Sequence, residues 1–481
     1  MNRRTIPTEG RPAESIVAEA RDYGQHDADF RGGRTWSLVY WAGDDHHHLV
    51  EEVHDLYLAH NALNPIAFQG LKRMETEVVQ MCAELFHGPA STVGTMTSGG
   101  TESLLLAVKS YRDRARSKWP WILRPNLVAP KTIHPAFAKA CHLFGVKLRT
   151  VAVDEHGHVD PRAIRKAIDR NTIAVAASAP QYVTGVVDPI PEIAALAARK
   201  GLPMHVDACF GGFILPWLER LDVAMPTWDF RVPGVTSVSA DLHKYGYAAK
   251  GASVLLYRDM SYLRHQFFAS TDWPGGIYIS PGLPGTRPGG PIAAAWAALQ
   301  GMGEAGYLGL AEKAWEAATK LRAGIEGIDG LRVLGGRPMS TVVTWSSSDP
   351  AVNVYAVADQ LQAKGWGVDR QQHPASVHCT CNASNLPVID TYLADLQEAV
   401  DHVRAHPELA REGDAAVYGL MSRVPLRGMV KSAVLDVMEK MYAPDATGAP
   451  DLEDDGGMVQ ELATKAFDTI DRVKARLGGA A

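Results

Sequence analysis

The feature that most constrains the fold of this chain is an alternation of short apolar runs and longer amphipathic segments between about residue 90 and residue 257. The runs have the continuous hydrophobicity of strands buried on both faces, and the segments between them have helical spacing. Strands that alternate with helices in this way form a mostly parallel sheet covered on both faces. We therefore predict an α/β fold, with strands at Asn126–Ala129, Lys147–Val153, Ile173–Ser178, Pro203–Val206, Thr236–Ser239 and Ser253–Tyr257 and helices at Glu102–Ser117, Pro135–Phe144, Pro161–Asp169 and Pro191–Lys200.

A change of pattern after residue 312 predicts a second, smaller domain. Helical stretches dominate there, and short strands are predicted at Leu331–Leu334, Thr341–Trp345 and Ser376–Thr380. The polar stretch Asp445–Gly457 predicts a loop, and Met458–Leu477 predicts a last helix. We divide the chain into an N-terminal segment (1–60), a large domain (61–312) and a small α+β C-terminal domain (313–481).

The composition argues against several classes of function. With a net charge of -6, the chain lacks the basic excess that binds nucleic-acid phosphates, so we expect no nucleic-acid partner. No apolar run is long enough for a membrane span, and the N-terminus lacks the apolar region of a signal peptide. The five cysteines lie mostly among apolar residues, which predicts reduced thiols in a cytoplasmic protein.

Two clusters of potential metal ligands have simpler interpretations, so we predict no metal site. His46, His47 and His48 follow Asp44 and Asp45, a pattern typical of a solvated helix start with acidic residues at its N-terminus. The pair Cys379 and Cys381 would share one face of a predicted strand, but two ligands do not make a metal site, and plain packing is the simpler interpretation.

The stretch Thr97–Ser103, TSGGTES, is the first candidate for ligand binding. Gly99 and Gly100 precede a helical run, so backbone N–H groups can approach a phosphate and the helix dipole favours the anion. Thr101 adds a hydroxyl group. The alternative interpretation of this stretch alone is an ordinary helix cap that uses glycine for turning.

Two polar residues follow predicted strands, at the sheet edge where α/β proteins bind ligands. His134 can stack on a planar heterocycle, although by itself it is more simply a structural histidine. Asp207 ends an apolar strand, where a carboxylate is costly to bury unless a cation meets it. The protonated nitrogen of a pyridine ring is such a cation.

Lys244 follows another predicted strand, in the stretch Ser239–Gly246, SADLHKYG. A lysine in this position suits Schiff-base chemistry, and we expect desolvation and nearby cationic charge to lower its pKa. A single lysine is usually a solvated surface charge. The ordered set of phosphate loop, histidine, strand-end aspartate and strand-end lysine nevertheless favours a pyridoxal 5'-phosphate (PLP) site.

Three stretches, TSGGTES, HVDACFGGF and SVSADLHKYGYAAKGASVLLY, closely resemble the sphingosine-1-phosphate lyase family, which lies among the group II PLP-dependent decarboxylase-like enzymes. The resemblance extends from about Trp36 to Gly290 and continues weakly through Gly365–Cys381 and the C-terminus. It implies a PLP-dependent aminotransferase-like fold (fold type I) and PLP as the cofactor. It also implies a homodimer with active sites at the subunit interface.

The resemblance assigns roles to individual residues. Lys244 would carry PLP as a Schiff base, Asp207 would pair with the pyridine nitrogen, and His134 would stack on the ring. Around the cofactor phosphate it places Gly99, Gly100, Thr101, His243 and, from the other subunit, Thr286. Near the substrate it places Tyr40, Asn64, Tyr182 and Lys250, and the residues expected to take part in catalysis are Lys244, Lys250, Tyr40 and His134.

The chain departs from the family pattern at two positions. Leu38 stands where the family usually has a glycine before Val-Tyr. The stretch Asn64–Phe68, NPIAF, stands where the family usually reads His-Pro-Asp, and the missing histidine is associated with the phosphate end of the substrate. Asn64 can hydrogen-bond a phosphate but brings no positive charge.

The resemblance implies a carbon–carbon lyase that cleaves phosphorylated sphingoid bases by a retro-aldol reaction. The products would be a long-chain aldehyde and phosphoethanolamine. The alternatives are a PLP-dependent amino-acid decarboxylase, a lyase acting on another β-hydroxy amine, and a PLP-binding protein without turnover. The presence together of Lys244, Asp207 and His134 argues against the last alternative.

Overall fold

A computed structural model describes residues 5–336, 340–423 and 427–444 of the chain. Its largest element is a seven-stranded sheet, which confirms the predicted α/β fold. The strands are β1 (Val93–Thr97), β2 (Asn126–Pro130), β3 (Lys147–Val151), β4 (Thr172–Ser178), β5 (Met204–Asp207), β6 (Val235–Ala240) and β7 (Ser253–Tyr257). The sequence VGTMT of β1 is not a continuous apolar run, so that strand was not predicted.

The order of the strands across this sheet is β1-β7-β6-β5-β4-β2-β3. Only β7 is antiparallel to its neighbours β1 and β6, and the other pairs are parallel. Because β7 is reversed relative to both β1 and β6, β1 runs in the same direction as β2 to β6. The carboxyl ends of these six strands therefore lie at one edge of the sheet, where ligand sites of α/β proteins form.

Helices cover the sheet and build most of the remaining chain. The predicted proline starts are confirmed within one residue: Pro161 opens its helix, Pro191 is the second residue of its helix, and Pro135 immediately precedes its helix. The helices are α1 (Ala13–Tyr23), α2 (Asp44–Leu56), α3 (Gln69–Leu85), α4 (Gly100–Lys118), α5 (Ala136–Phe144), α6 (Pro161–Ala167), α7 (Ile190–Arg199), α8 (Leu215–Arg220), α9 (Met260–Leu263), α10 (Gly289–Glu326), α11 (Val354–Ala363), α12 (Ile389–Ala405), α13 (Gly413–Arg423) and α14 (Arg427–Met441).

The C-terminal part contains a second, antiparallel sheet, and a small hairpin lies between the two sheets in the chain. The hairpin pairs β8 (Phe268–Ser270) with β9 (Tyr278–Ser280). The second sheet has the order β10-β11-β13-β12, with β10 at Leu331–Leu334, β11 at Val342–Ser347, β12 at Asp369–Gln372 and β13 at Ala375–Thr380. The three strands predicted here are present. The predicted loop at Asp445–Gly457 and the predicted helix at Met458–Leu477 lie outside the described residues.

Helix α10 runs across the predicted boundary at residue 312. It leaves helical geometry at Gly303, and its C-terminal half passes from one hydrophobic core to another. Ala314 belongs to the core around the large sheet, whereas Ala317 belongs to the core around the small sheet. Trp36 from the N-terminal segment also packs into the core of the small sheet. The division into three parts stays a prediction.

The structure bears on the cysteine and histidine clusters as well. All five cysteines are buried and free, and Cys379 and Cys381 both lie in the small core. The histidine run lies at the start of a helix, α2, as predicted, but the N-cap is Gly43, and Asp44 and Asp45 lie in the first turn. His46 is half-buried and forms a hydrogen bond with the carbonyl oxygen of Tyr247, so it is not part of a solvated face. Among the described residues, no group of three or more potential ligands could hold a metal ion, and no helix is long and apolar enough to cross a membrane.

A buried ion pair joins the start of α10 to α3 and the large sheet. Arg287 donates to Glu75 at 2.5 Å and to the carbonyl oxygen of Met96, the penultimate residue of β1, at 3.0 Å. Burial opposes ionisation of Glu75, but Arg287 and Lys72 together hold its pKa below the usual value. Glu75 is therefore charged at neutral pH and depends on Arg287 for its compensation.

We expect Arg287→Ala to lower the free energy of unfolding by about 3–5 kcal/mol, because it leaves the Glu75 carboxylate buried without its main partner. The folded-state pKa of Glu75 is lowered, so the stabilisation is present above the unfolded pKa and is lost as pH falls through the folded pKa. Denaturant unfolding at pH 7 and in mild acid should therefore show a difference that narrows in acid. Arg73→Ala, which breaks an exposed pair with Glu77, is the control and should have little effect. Equal effects of both variants would contradict this account.

Candidate active site

The carboxyl edge of the large sheet brings the predicted cofactor residues together. Gly99 and Gly100 follow β1, His134 follows β2, Asp207 ends β5, and Lys244 follows β6. These residues are far apart in sequence, and the strand order places β1, β6 and β5 within four adjacent strands. The parallel arrangement therefore builds one site from four separate segments.

The start of α4 forms a cradle for an anion. Gly99 has φ +151°, and a Cβ atom on Gly100 would lie 2.8 Å from the sulfur of Cys209 and 2.9 Å from Oδ1 of Asp241. Only glycine fits this approach, and it leaves the N–H groups at the N-terminus of a 19-residue helix facing the site. The ring of His243 lies beside Gly99, since Cε1 would be 3.4 Å from a Cβ atom there.

Lys244 forms an ion pair that the sequence interpretation did not include. Its Nζ atom lies 3.0 Å from Oδ2 of Asp241, whose side chain is 3% exposed. Burial disfavours the charge on Lys244, but Asp241 outweighs this effect and the pKa of the amine is raised. The prediction of a lowered pKa is therefore wrong, because it considered desolvation and nearby cations and missed the carboxylate three residues before the lysine.

Asp207 is buried at the end of β5, beside a second buried carboxyl group. Its Oδ1 atom accepts a hydrogen bond from the backbone N–H of Cys209 at 3.1 Å. Asp188 accepts from the backbone N–H of Ser178, the residue paired with Asp207 across β4 and β5. Burial raises the pKa of Asp188 to about 7, and the charge of Asp207 adds to the increase. This end of the sheet is therefore electronegative and suited to a cationic ring nitrogen.

His134 and Lys250 are each held by hydrogen bonds to the backbone. His134 is exposed and its Nδ1 atom accepts from the backbone N–H of Ala136, so its ring is fixed at the start of α5. Lys250 donates to the carbonyl oxygens of Leu38 and His243. Burial and the positive charge of Lys244 lower the pKa of Lys250. Of the two lysines, Lys250 is the one that more readily gives up its proton.

Tyr40 and Tyr182 meet near a carboxylate from the small domain. The ring of Tyr40 packs edge-on against Tyr245 at 4.7 Å, and burial raises the pKa of its phenol. The ring of Tyr182 stacks on His378 at 4.0 Å, and its hydroxyl donates to Oδ2 of Asp369 at 3.3 Å. The sequence interpretation did not select Asp369, and no local signal marks it, because its partners are far away in the chain.

Two residues predicted to belong to the site have no contact with Lys244 of the same chain among the described residues. Asn64 is exposed, and its side-chain oxygen accepts from the backbone N–H groups of Ile66 and Ala67, so it stabilises its own turn. Thr286 is exposed and its hydroxyl accepts from Asn61 at 3.5 Å. No contact in the described residues connects either side chain with Lys244.

A cavity of about 440 Å³ opens beside Lys250 and His243. Helix α2 and the segment before it form one wall, and the turn after Lys244 forms the other. Its lining is mainly apolar and aromatic, with histidines at one side: it includes Phe30, Val39, Tyr40, Trp41, Val50, Tyr247, His46, His47 and His54. This volume and lining are typical of a small-molecule site.

The residues at this edge fit PLP. The glycine cradle at α4 suits a phosphate, Lys244 supplies a primary amine, and the buried Asp207 suits a protonated ring nitrogen. The exposed ring of His134 offers a flat face for stacking. Together these residues match the phosphate, the aldehyde, the ring nitrogen and the flat face of the PLP ring.

Comparison with known sequences relates this chain to a broad enzyme family and to a group of more similar proteins. The pyridoxal-dependent decarboxylase conserved domain matches residues 37–345. Sphingosine-1-phosphate lyase 1 of Rattus norvegicus is 39% identical over 92% of this chain and 78% of its own length. The sphingosine-1-phosphate lyase of Arabidopsis thaliana is 40% identical over 91% of this chain and 81% of its own length.

Solved structures give the same relationship. The sphingosine-1-phosphate lyase of Burkholderia pseudomallei superposes with a TM-score of 0.81 at 37% identity, covering 90% of this chain and 97% of that one. Glutamate decarboxylase of Lactobacillus brevis superposes with a TM-score of 0.74 at 21% identity, covering 84% and 96% of the two chains, and shares the fold. The chain therefore belongs to the sphingosine-1-phosphate lyase family, within the pyridoxal-dependent decarboxylases.

Proposed function

We propose that this protein is a PLP-dependent carbon–carbon lyase that cleaves phosphorylated sphingoid bases into a long-chain aldehyde and phosphoethanolamine. The observation that carries the proposal is the similarity to sphingosine-1-phosphate lyases over nine-tenths of the chain, 39% identical in one case. The geometry supports it, because the residues that such a reaction requires lie around one edge of the large sheet.

The chain would hold PLP through both of its ends. Gly99, Gly100, Thr101 and His243 would bind the phosphate, Lys244 would bind the aldehyde carbon, Asp207 would hold the ring nitrogen and His134 would stack on the ring. PLP held in this way would supply a ring that accepts the electron pair of the bond that breaks. Asp207 would sustain that capacity by keeping the ring nitrogen protonated.

Proton transfer falls to Lys250 and Tyr40. Cleavage between C2 and C3 of the substrate requires a base that takes the proton of the C3 hydroxyl, and C2 must then receive a proton. The lowered pKa of Lys250 suits the first task, since a neutral amine is the form that accepts a proton. The raised pKa of Tyr40 keeps its phenol protonated, so it can donate a hydrogen bond to the substrate oxygen. The apolar cavity beside Lys250 suits the alkyl chain.

We further propose a homodimer with shared active sites. A strip of large apolar side chains lies exposed along the β8–β9 hairpin and the segments around it: Phe267, Phe268, Trp273, Ile277, Ile279 and Leu283, which are 42–76% exposed. An exposed apolar surface of this kind is typical of a protein interface. Thr286 lies three residues after this strip and is exposed, and we place it at the cofactor phosphate of the second copy.

The location of the protein stays a prediction. Five buried free thiols support a reducing compartment, and we propose the cytoplasm.

The first test of the function is product analysis with the purified holoenzyme. We expect sphingosine 1-phosphate and dihydrosphingosine 1-phosphate to yield a long-chain aldehyde and phosphoethanolamine, measured by mass spectrometry. The unphosphorylated base serves as the control for phosphate recognition, and glutamate and aromatic amino acids as controls for decarboxylation. Release of carbon dioxide from an amino acid, with no aldehyde from either phosphorylated base, would make the protein a decarboxylase.

A second prediction concerns Asp207. Asp207→Ala removes the partner of the ring nitrogen, and we expect kcat to fall at least about 100-fold, as for loss of one preorganised electrostatic contact. The absorbance of the bound cofactor should change as its ring loses a proton, while circular dichroism shows a native fold. Near-native turnover of this variant would exclude the role.

The dimer is tested by mixing two impaired variants. Lys244→Ala removes the cofactor amine, and Thr286→Trp blocks the site that Thr286 reaches. If Thr286 acts in the partner's site, unfolding and refolding the two variants together creates heterodimers with one intact site, and random pairing restores about one quarter of wild-type activity. Refolding each variant alone gives the baseline. Recovery no greater than that baseline, or a fully active monomer in sedimentation at assay concentration, contradicts shared sites.

A further inference from the structure

The segment that leads into the active site contains a strained turn at Leu38. The backbone N–H of Val39 donates to the carbonyl oxygen of Ser37 at 2.8 Å, which closes a three-residue turn with Leu38 at its centre. Leu38 has φ +70°, a conformation that a residue with a branched side chain rarely adopts. Its side chain is 70% exposed, so burial of the leucine does not compensate for the strain.

Contacts on both sides hold this turn. The Ser37 hydroxyl donates to Oδ2 of Asp369 at 2.6 Å, across 332 residues of chain. On the other side, Nζ of Lys250 donates to the carbonyl oxygen of Leu38. Asp369 is the first residue of β12, where it is paired with His378 of β13. The anchor is therefore part of a sheet, whereas the turn that it holds belongs to the N-terminal segment.

The turn sets the position of two residues of the proposed chemistry. Tyr40 follows Leu38 by two residues, and the Lys250 amine, bonded to the Leu38 carbonyl, lies 5.9 Å from the centre of the Tyr40 ring. Tyr40 packs on Tyr245, which is fixed by a hydrogen bond to Thr341 at 2.6 Å. If Leu38 relaxed to a negative φ, its carbonyl group would rotate away from Lys250. The backbone between Leu38 and Tyr40 would then run in another direction, and the Tyr40 ring would move.

We infer that Asp369 is a positioning residue for the reaction, which keeps the strained turn at Leu38 closed through Ser37 and thereby places Tyr40 and Lys250 beside Lys244. The inference rests on the proposed function for its kinetic consequence. Asp369 acts through Ser37 and not through a contact with the substrate, and its hold on Ser37 compensates for the strain at Leu38.

The first experiment breaks the anchor in the holoenzyme. Asp369→Ala should lower kcat/KM for sphingosine 1-phosphate about 10- to 100-fold, the cost of displacing catalytic groups by a fraction of an ångström to an ångström. Asp369→Asn keeps an acceptor oxygen for Ser37 and should lose much less. Ser37→Ala removes the same hydrogen bond from the other end and should resemble Asp369→Ala, which keeps the test available if the latter variant folds poorly. Asp390→Ala, an exposed small-domain carboxylate paired with Lys320, is the matched control and should be silent.

The second experiment asks whether relief of strain replaces the anchor. Glycine adopts positive φ without cost, so Leu38→Gly should need no help to keep the turn closed. We expect Leu38→Gly alone to keep kcat/KM within about threefold of wild type, and Leu38→Gly combined with Asp369→Ala to recover most of the lost activity. A direct contact between Asp369 and the substrate predicts no recovery, and that result would overturn the inference.

Hydrogen–deuterium exchange gives a measurement that does not depend on turnover. Amides of residues 36–42 should exchange faster in Asp369→Ala and Ser37→Ala than in wild type, and Leu38→Gly should slow them again. If wild-type protein cleaves no phosphorylated base while this pattern holds, the proposed function fails and the anchoring stands. If wild-type protein is active and Asp369→Ala changes neither kinetics nor exchange, the anchoring fails and the function stands.

Discussion

The structure depends on the parallel pairing of buried strands in the large sheet. Strands buried on both faces must be apolar along their length, so polar groups can enter only where the strands end. Since six strands end at the same edge, residues as distant in sequence as Gly99 and Lys244 meet there. The reversal of β7 between β1 and β6 is part of this arrangement, because it lets the glycine cradle and the lysine lie one strand apart with their ends aligned.

Because the polar groups are concentrated at one buried edge, each group shifts the pKa values of its neighbours. Lys244 and Lys250 are six residues apart, yet their pKa values shift in opposite directions. Asp241 lies 3.0 Å from the first amine and outweighs its desolvation, whereas the second amine is bonded to carbonyl oxygens and repelled by the first. One lysine is therefore kept as a cation and the other is closer to a base. The neutral amine is the form that accepts a proton, so this difference favours Lys250 over Lys244 for proton transfer.

The proposed substrate side of the site is assembled from three parts of the chain. The N-terminal segment supplies Tyr40, the large sheet supplies Tyr182, and the small sheet supplies Asp369, which contacts Tyr182 and Ser37. Trp36 anchors the N-terminal segment in the small core. Within one chain, the proposed cofactor residues Gly99, Gly100, His134, Asp207 and Lys244 all lie at the carboxyl edge of the large sheet.

The sequence by itself determined the α/β fold, most strand and helix positions, and the places of the candidate cofactor residues Gly99, His134, Asp207 and Lys244 at the ends or starts of these elements. These follow from local patterns, since apolar runs, glycine pairs and strand-end polar residues are visible in short windows. Strand β1, the pKa of Lys244 and the contacts of Asp369 were decided only by the tertiary structure. β1 lacks an apolar run, and only the fold of the turn after β6 brings the Asp241 carboxylate to 3.0 Å from the Lys244 amine. Asp369 lies 332 residues from Ser37, and only folding of the small sheet against the N-terminal segment brings the two together.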